Sequence, residues 1–222
     1  MSSAKHHLDT LKAGGLAQWG FTVYRAAYGP TSDQSWQSLL GAIQSGIRAQ
    51  VLSLADGTKL PGADDTVQAA ADEADSCEEL LSMFHLEVKS EPEVQDGKSI
   101  NETRQIIKEA ESGQDQEASL AASFTQRGIF LYVDDEVLQA VESATPAPWI
   151  KVVEIDYDAA KHKGNRRTGG QRYFGWMIAS TTSLFTLWDD LGGKNMWSIA
   201  PWAEDGNMTV VWDGVLNDQT IN

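Results

Sequence analysis

The chain holds one cysteine, Cys77, in 222 residues. That excludes an intramolecular disulfide and any cysteine-rich zinc site. Histidine is scarce as well: His6, His7, His85 and His162 offer no H-x-x-x-H spacing, so no metal is expected. There is no G-x-S-x-G elbow, and no nucleophile has a local base beside it; triads assemble in space, so this lowers the case for hydrolysis without closing it. No apolar run approaches the roughly 18 residues a membrane span needs. The opening fifteen residues carry Lys5, His6, His7, Asp9 and Lys12 rather than the apolar stretch of a secretory signal. A cytoplasmic or nuclear, non-secreted protein without membrane contact is the expectation. Positive charge is also short: 17 Lys and Arg face 32 Asp and Glu, a net −15. Nucleic acid is therefore not an expected partner, and no motif calls for a cofactor.

What is present suffices for a core: 41% of residues are hydrophobic and eight are tryptophan. The charge is uneven. Residues 56–117 hold 17 acids against 5 bases, which carries −12 of the −15. By contrast Lys161, Lys163, Arg166, Arg167 and Arg172 share a twelve-residue window, 161–172, with three glycines and no acid.

The pattern predicts a strand over 20–27, ended by Tyr28-Gly29-Pro30. A helix capped by Thr31 or Ser32 follows, with Trp36, Leu39, Leu40, Ile43 and Ile47 on one face. A second helix runs from Asp64 or Asp65 to Phe84 and places Cys77 on its apolar face, a buried and inert thiol. A third starts at Ser99, where Glu102 completes Ser-x-x-Glu. Residues 112–126 read as a linker. The apolar run 128–133 is a buried strand, Asp134 caps a short helix, and 149–157 is a further strand. The connection of about 15 residues between those strands is long enough for a parallel right-handed crossover. A strand over 173–179, a helix capped by Thr181 or Thr182 and stopped at Gly192-Gly193, and a strand over 208–212 complete the pattern.

The expected architecture is α+β, a two-layer sheet of four or five strands packed by helices, with a ferredoxin-like split βαβ arrangement as first topology. The expected organisation is a flexible N-terminus at 1–18, one domain over 19–193 with an acidic insertion or linker around 55–126, and a Trp-rich tail at 194–222.

The segment Trp19-Gly20-Phe21-Thr22-Val23-Tyr24-Arg25, then Tyr28-Gly29, Asp33 and Trp36, resembles the opening of a family of uncharacterised proteins from filamentous fungi. Asp134, Asp156-Tyr157 and Gly175-Trp176-Met177 fit the looser remainder of that pattern, up to Leu191; the tail beyond Gly193 departs from it. The resemblance implies a fungal source and carries no assigned activity.

Three groups of residues carry chemistry. Arg25 shares a strand face with Phe21 and Val23. It forms either a structural ion pair with Asp134 or Asp156, or the lining of a pocket at the strand's carboxyl end. Glu154 and Asp156, two apart on a strand, share a face; paired carboxylates split into acid and base roles, and an exposed strand face explains them as well. Arg25, Asp134 and Asp156 are thus the candidates for catalysis. The window 161–172 is a candidate anion site, because arginines and glycine backbone suit phosphate or carboxylate; an ordinary surface loop is the alternative. These features favour a non-catalytic ligand-binding or interaction module with a small-molecule or protein partner. The alternative is a small cofactor-free enzyme or accessory protein of a fungal secondary-metabolite pathway.

Overall fold

Alternation decides the first two strands. Trp19, Phe21 and Val23 point to one side of β1 (Trp19–Arg25), and Phe84, Leu86 and Val88 to the same side of β2 (Phe84–Lys89). The two pair in parallel with Trp19 opposite Phe84 and Tyr24 opposite Lys89. Gly20 is a requirement of that pairing: a Cβ there would lie 1.9 Å from the His85 carbonyl oxygen, at a backbone φ of +146°. The computed structural model describes residues 3–56, 65–112, 127–143, 147–163, 171–203 and 208–215.

Among these residues six strands form one sheet in the order β2-β1-β3-β4-β5-β6, adding β3 (Ile129–Val133), β4 (Trp149–Glu154), β5 (Trp176–Ser180) and β6 (Val211–Trp212). Five strands run one way and β4 alone runs against them. The α+β class holds, with more strands than expected. The topology is not the ferredoxin-like one, because β1 has parallel neighbours, β2 and β3, on both sides. The strand that sequence reading missed is β2: helix α3 (Asp65–Ser82) stops before Phe84 instead of running through it.

The expected parallel crossover between β3 and β4 is also corrected; they pair antiparallel, with Tyr132 opposite Lys151. That pairing returns Lys151 to the end of β3, where its Nζ lies 2.7 Å from Asp134 and 2.6 Å from Glu136. A parallel strand would leave the buried ammonium without these partners, a costly state.

The larger core lies on one face, under α1 (Ala4–Ala13), α2 (Ser32–Asp56), α3, α6 (Asp135–Glu142), α7 (Leu184–Asp190) and α8 (Met196–Ile199). Trp19 is its centre: the ring meets Phe84, Phe185 and Trp188 at 4.8–5.4 Å, and Nε1 donates to the Leu80 carbonyl at 2.8 Å. Cys77 is buried there as expected, its Sγ 3.2 Å from the Val51 carbonyl oxygen. Segment 1–18, expected to be flexible, contains α1, whose Ala4, Leu8 and Leu11 are buried. Glu73 of α3 accepts from the Ala4 amide and so caps that helix from across the core. In the Trp-rich tail, Met196, Ile199, Met208 and Trp212 belong to the same core.

The opposite face carries a smaller cluster of Phe130, Tyr132, Val153 and Ile155 with Ile107 of α5 (Ile100–Ser112). The acidic stretch leading to it holds β2 and a short α4 (Pro92–Gln95). Local start signals are realised. Glu102 accepts from the Ser99 amide at 2.9 Å and hydroxyl at 2.7 Å, and Asp134 accepts from the Val137 amide at 3.2 Å. The linker expected over 112–126 falls almost wholly outside the described residues. Among the described residues no helix is long and apolar enough to cross a membrane.

Candidate functional site

The carboxyl ends of β1 and β3 lie together at one edge of the sheet, where open α/β sheets hold ligands. Arg25 occupies that position and is 5% exposed. The turn after β1 folds the first residues of α2 back onto it. Its Nε donates to the Ala27 carbonyl at 2.9 Å; Nη2 donates to Ser32 Oγ at 2.6 Å and Asp33 Oδ1 at 2.7 Å. The Tyr28 and Trp36 rings lie 4.5 and 5.4 Å from the guanidinium. The ion pair is therefore with Asp33, not with Asp134 or Asp156, and the arginine fastens β1 to α2. Most of the opening motif has one structural account: Trp19 anchors the core, Gly20 admits β2, and Arg25, Tyr28, Asp33 and Trp36 form a single knot.

The three candidate catalytic residues do not meet. Asp134 caps α6 and faces Lys151. Asp156 lies at the opposite edge, because β4 runs against β3; it is exposed and 3.3 Å from Lys108. Glu154 and Asp156 do not share a strand face either, since β4 ends at Glu154.

At that opposite edge the described residues between β4 and β5 form a compact cluster. Asp158 accepts from the Ala160 amide at 2.9 Å and starts a 3₁₀ turn, Ala159–His162. The turn places the His162 ring in a stack on Tyr157 at 5.5 Å and edge-on to Tyr173 at 5.0 Å. Gln171 closes the other stem, donating to Tyr157 Oη at 2.6 Å and to the Tyr173 carbonyl at 2.9 Å. Tyr157 Oη donates in turn to that carbonyl at 3.2 Å. Arg104 of α5 supports the cluster, donating to the carbonyls of Glu154 at 2.8 Å and Gly175 at 2.7 Å, with its guanidinium 5.2 Å from the Tyr157 ring.

Gly175 makes the packing possible. Its φ is +76°, and a Cβ there would lie 2.2 Å from Tyr157 Cγ. Tyr173 donates to Glu154 Oε2 at 2.7 Å. Burial, and then the neighbouring Glu154 carboxylate, raise its pKa far above the ordinary tyrosine value. Burial also raises Tyr157, against the opposing hydrogen bond from Gln171. Both hydroxyls are thus held protonated, as donors. Burial lowers the Arg104 pKa, opposed by Tyr173, Tyr157 and Glu154, and a guanidinium remains charged in such a setting.

Of the basic residues, Lys161 and Lys163 are exposed, and among the described residues neither forms an ion pair. Arg172 lies with its guanidinium 3.8 Å from the centroid of Trp202. Its carbonyl accepts from the Ala203 amide at 3.0 Å, tying the tail to the loop stem. Arg166 and Arg167 lie outside the described residues. Sequence reading missed the cluster because Tyr157, His162, Gln171 and Tyr173 are spread along the chain and meet only in space. The one local signal was the pair of aromatics flanking the window. Among the described residues no group of three or more His, Cys, Asp or Glu side chains is arranged to hold a metal. No protein-family model matches the chain, and no curated protein or solved structure matches it significantly.

Proposed function

We propose that the protein is a non-catalytic binding module whose loop between β4 and β5 takes an anionic ligand, a phosphate or carboxylate, through Lys161, Lys163 and Arg172. The observation that carries this reading is the clamped base of the loop. Tyr157, His162, Gln171 and Tyr173 tie its two stems together, which fixes the backbone on either side of His162 in a chain of net charge −15. A clamped backbone loses less entropy on binding than a loose loop. The described acids favour binding over turnover. Asp134 and Glu136 face Lys151, Glu154 accepts from Tyr173, and Asp156 lies beside Lys108.

Thermal melts in increasing inorganic phosphate test the reading. Binding to the folded state alone contributes about 2.7 kcal/mol at a hundred times Kd, a rise of several degrees for a chain of this size. Added sodium chloride should shrink the rise, because exposed charges are screened over about 8 Å near physiological ionic strength. The double variant Lys161→Ala/Lys163→Ala should lose most of it. A flat response in the parent protein, or an undiminished one in the double variant, contradicts the assignment.

A further inference from the structure

Given an anion at this loop, the reading proposed above, the residue between the two lysines acquires a role of its own. His162 is half-buried, with its ring stacked on Tyr157 at 5.5 Å and meeting Tyr173 at 5.0 Å. These ring contacts hold the imidazole in place. They leave its polar atoms unused: among the described residues neither ring nitrogen has a hydrogen-bond or ion-pair partner. His7 is the contrast, buried with Nδ1 3.4 Å from an Asp189 carboxylate oxygen.

A protonated imidazole at His162 would have no carboxylate of its own. The acids nearest in the fold have partners already. Glu154 accepts from the Tyr173 hydroxyl at 2.7 Å, Asp156 lies 3.3 Å from Lys108, and Asp158 accepts from the Ala160 amide at 2.9 Å. The other charged groups around the ring are cations. Lys161 and Lys163 flank it in the chain, and Arg104 lies 5.2 Å from the centroid of the Tyr157 ring on which it stacks. Neighbouring cations repel one another, and an anion held among them favours the charged form of each.

We propose that His162, in its protonated form, is a further ligand of the anion, so that anion binding at this loop is coupled to uptake of a proton. The coupling is reciprocal: the imidazolium favours the anion, and the anion favours the imidazolium by the same factor. Histidine is the side chain that ordinarily changes charge between about pH 5 and 8. The added affinity is therefore fully present at the acid end of that range and is lost as pH rises through it.

Isothermal titration calorimetry with sodium sulfate at constant ionic strength tests the coupling. Sulfate keeps its charge between about pH 5.5 and 8, the range in which histidine titrates, whereas phosphate changes its own protonation there. The parent should bind sulfate about fivefold more tightly at the lower pH, the upper range for one exposed charge pair. Near pH 7 it should also take up part of a proton on binding, read from the change in heat between buffers of different ionisation enthalpy. His162→Phe keeps a ring to stack on Tyr157 and cannot titrate. It should still bind sulfate, lose most of the gain at low pH and take up no proton. His162→Gln, which has no ring, should do the same. If the parent takes up no proton, or either variant keeps the parent's gain and proton uptake, His162 serves the stack alone; the coupling is then overturned and the anion site stands. If neither sulfate nor phosphate binds the parent at any pH in the range, both readings are overturned.

Discussion

Arg25 and Arg172 sit at opposite edges of the same sheet and teach opposite lessons. Arg25 is where a ligand-binding arginine is expected, at the carboxyl end of a parallel strand. Its donors nevertheless reach Ala27, Ser32 and Asp33, and two rings lie against its guanidinium. Arg172 belongs to a loop at the other edge and lies on a largely open indole. Position within a fold therefore does not by itself identify a site. A buried cation whose hydrogen-bonding directions are used by its own chain is a fastener. Arg172, half-buried and stacked on a ring, is the arginine that the proposed function assigns to recognition.

The comparison breaks most easily at Arg25. Arg25→Met removes three charge-assisted hydrogen bonds in a buried position, and a loss of about 3 kcal/mol is expected in urea denaturation. Asp33→Asn should cost less than about 1 kcal/mol, since the Asp33 side chain is 85% exposed. Equal costs for the two would mean that the salt bridge, rather than the whole knot, fastens β1 to α2. Next in size is Gly175→Ala, which places a side chain at φ +76° against Tyr157. It should cost about 2 kcal/mol and weaken phosphate binding, because the base of the loop is displaced. A destabilised variant with parental phosphate affinity would separate the base from the site.

A smaller effect is expected from pH at the start of α5. The Ser99 amide and hydroxyl bonds, with Lys98, hold the Glu102 pKa at about 2, below the ordinary 4.5. The unfolded chain thus takes up this proton first as pH falls. The contribution is fully present above about pH 4.5 and is lost between there and pH 2. Glu102→Gln should flatten the fall of the urea midpoint between pH 5 and 3 relative to the parent; parallel curves would show that the box adds nothing. Smallest of all, Lys161→Ala/Lys163→Ala should leave ligand-free stability within about 0.5 kcal/mol, as for other exposed positions.

What could be read from sequence follows the range of the interactions. The Ser99–Glu102 box and the Asp134 cap involve residues three apart, so their signals survive without knowledge of the fold. Cys77 was legible for a similar reason, since helical spacing alone puts it on the apolar face. Helix α1 left a signal that was passed over: Ala4, Leu8 and Leu11 recur at helical spacing behind Ser3, which accepts from the His6 amide. Strand β2 was hidden because Phe84 extends the apolar stripe of α3, while its alternation with Leu86 and Val88 matters only once β1 lies beside it. The partner of Arg25 depended on how tightly the chain turns after Tyr28, and the cluster of Tyr157, His162 and Tyr173 depended on the antiparallel return of β5 beside β4. Neither can be read from local pattern.

One paired measurement tests the functional difference between the two arginines most directly. Thermal melts of Arg25→Met and Arg172→Met, each with and without saturating phosphate, should give opposite results. Arg25→Met should melt roughly 6–12 °C below the parent without ligand and keep the phosphate-induced rise. Arg172→Met should melt within about 2 °C of the parent and lose most of that rise. If instead Arg172→Met unfolds at low temperature while Arg25→Met stays stable and ceases to respond to phosphate, the ligand site lies at the carboxyl edge of the parallel strands and the assignment made here is reversed.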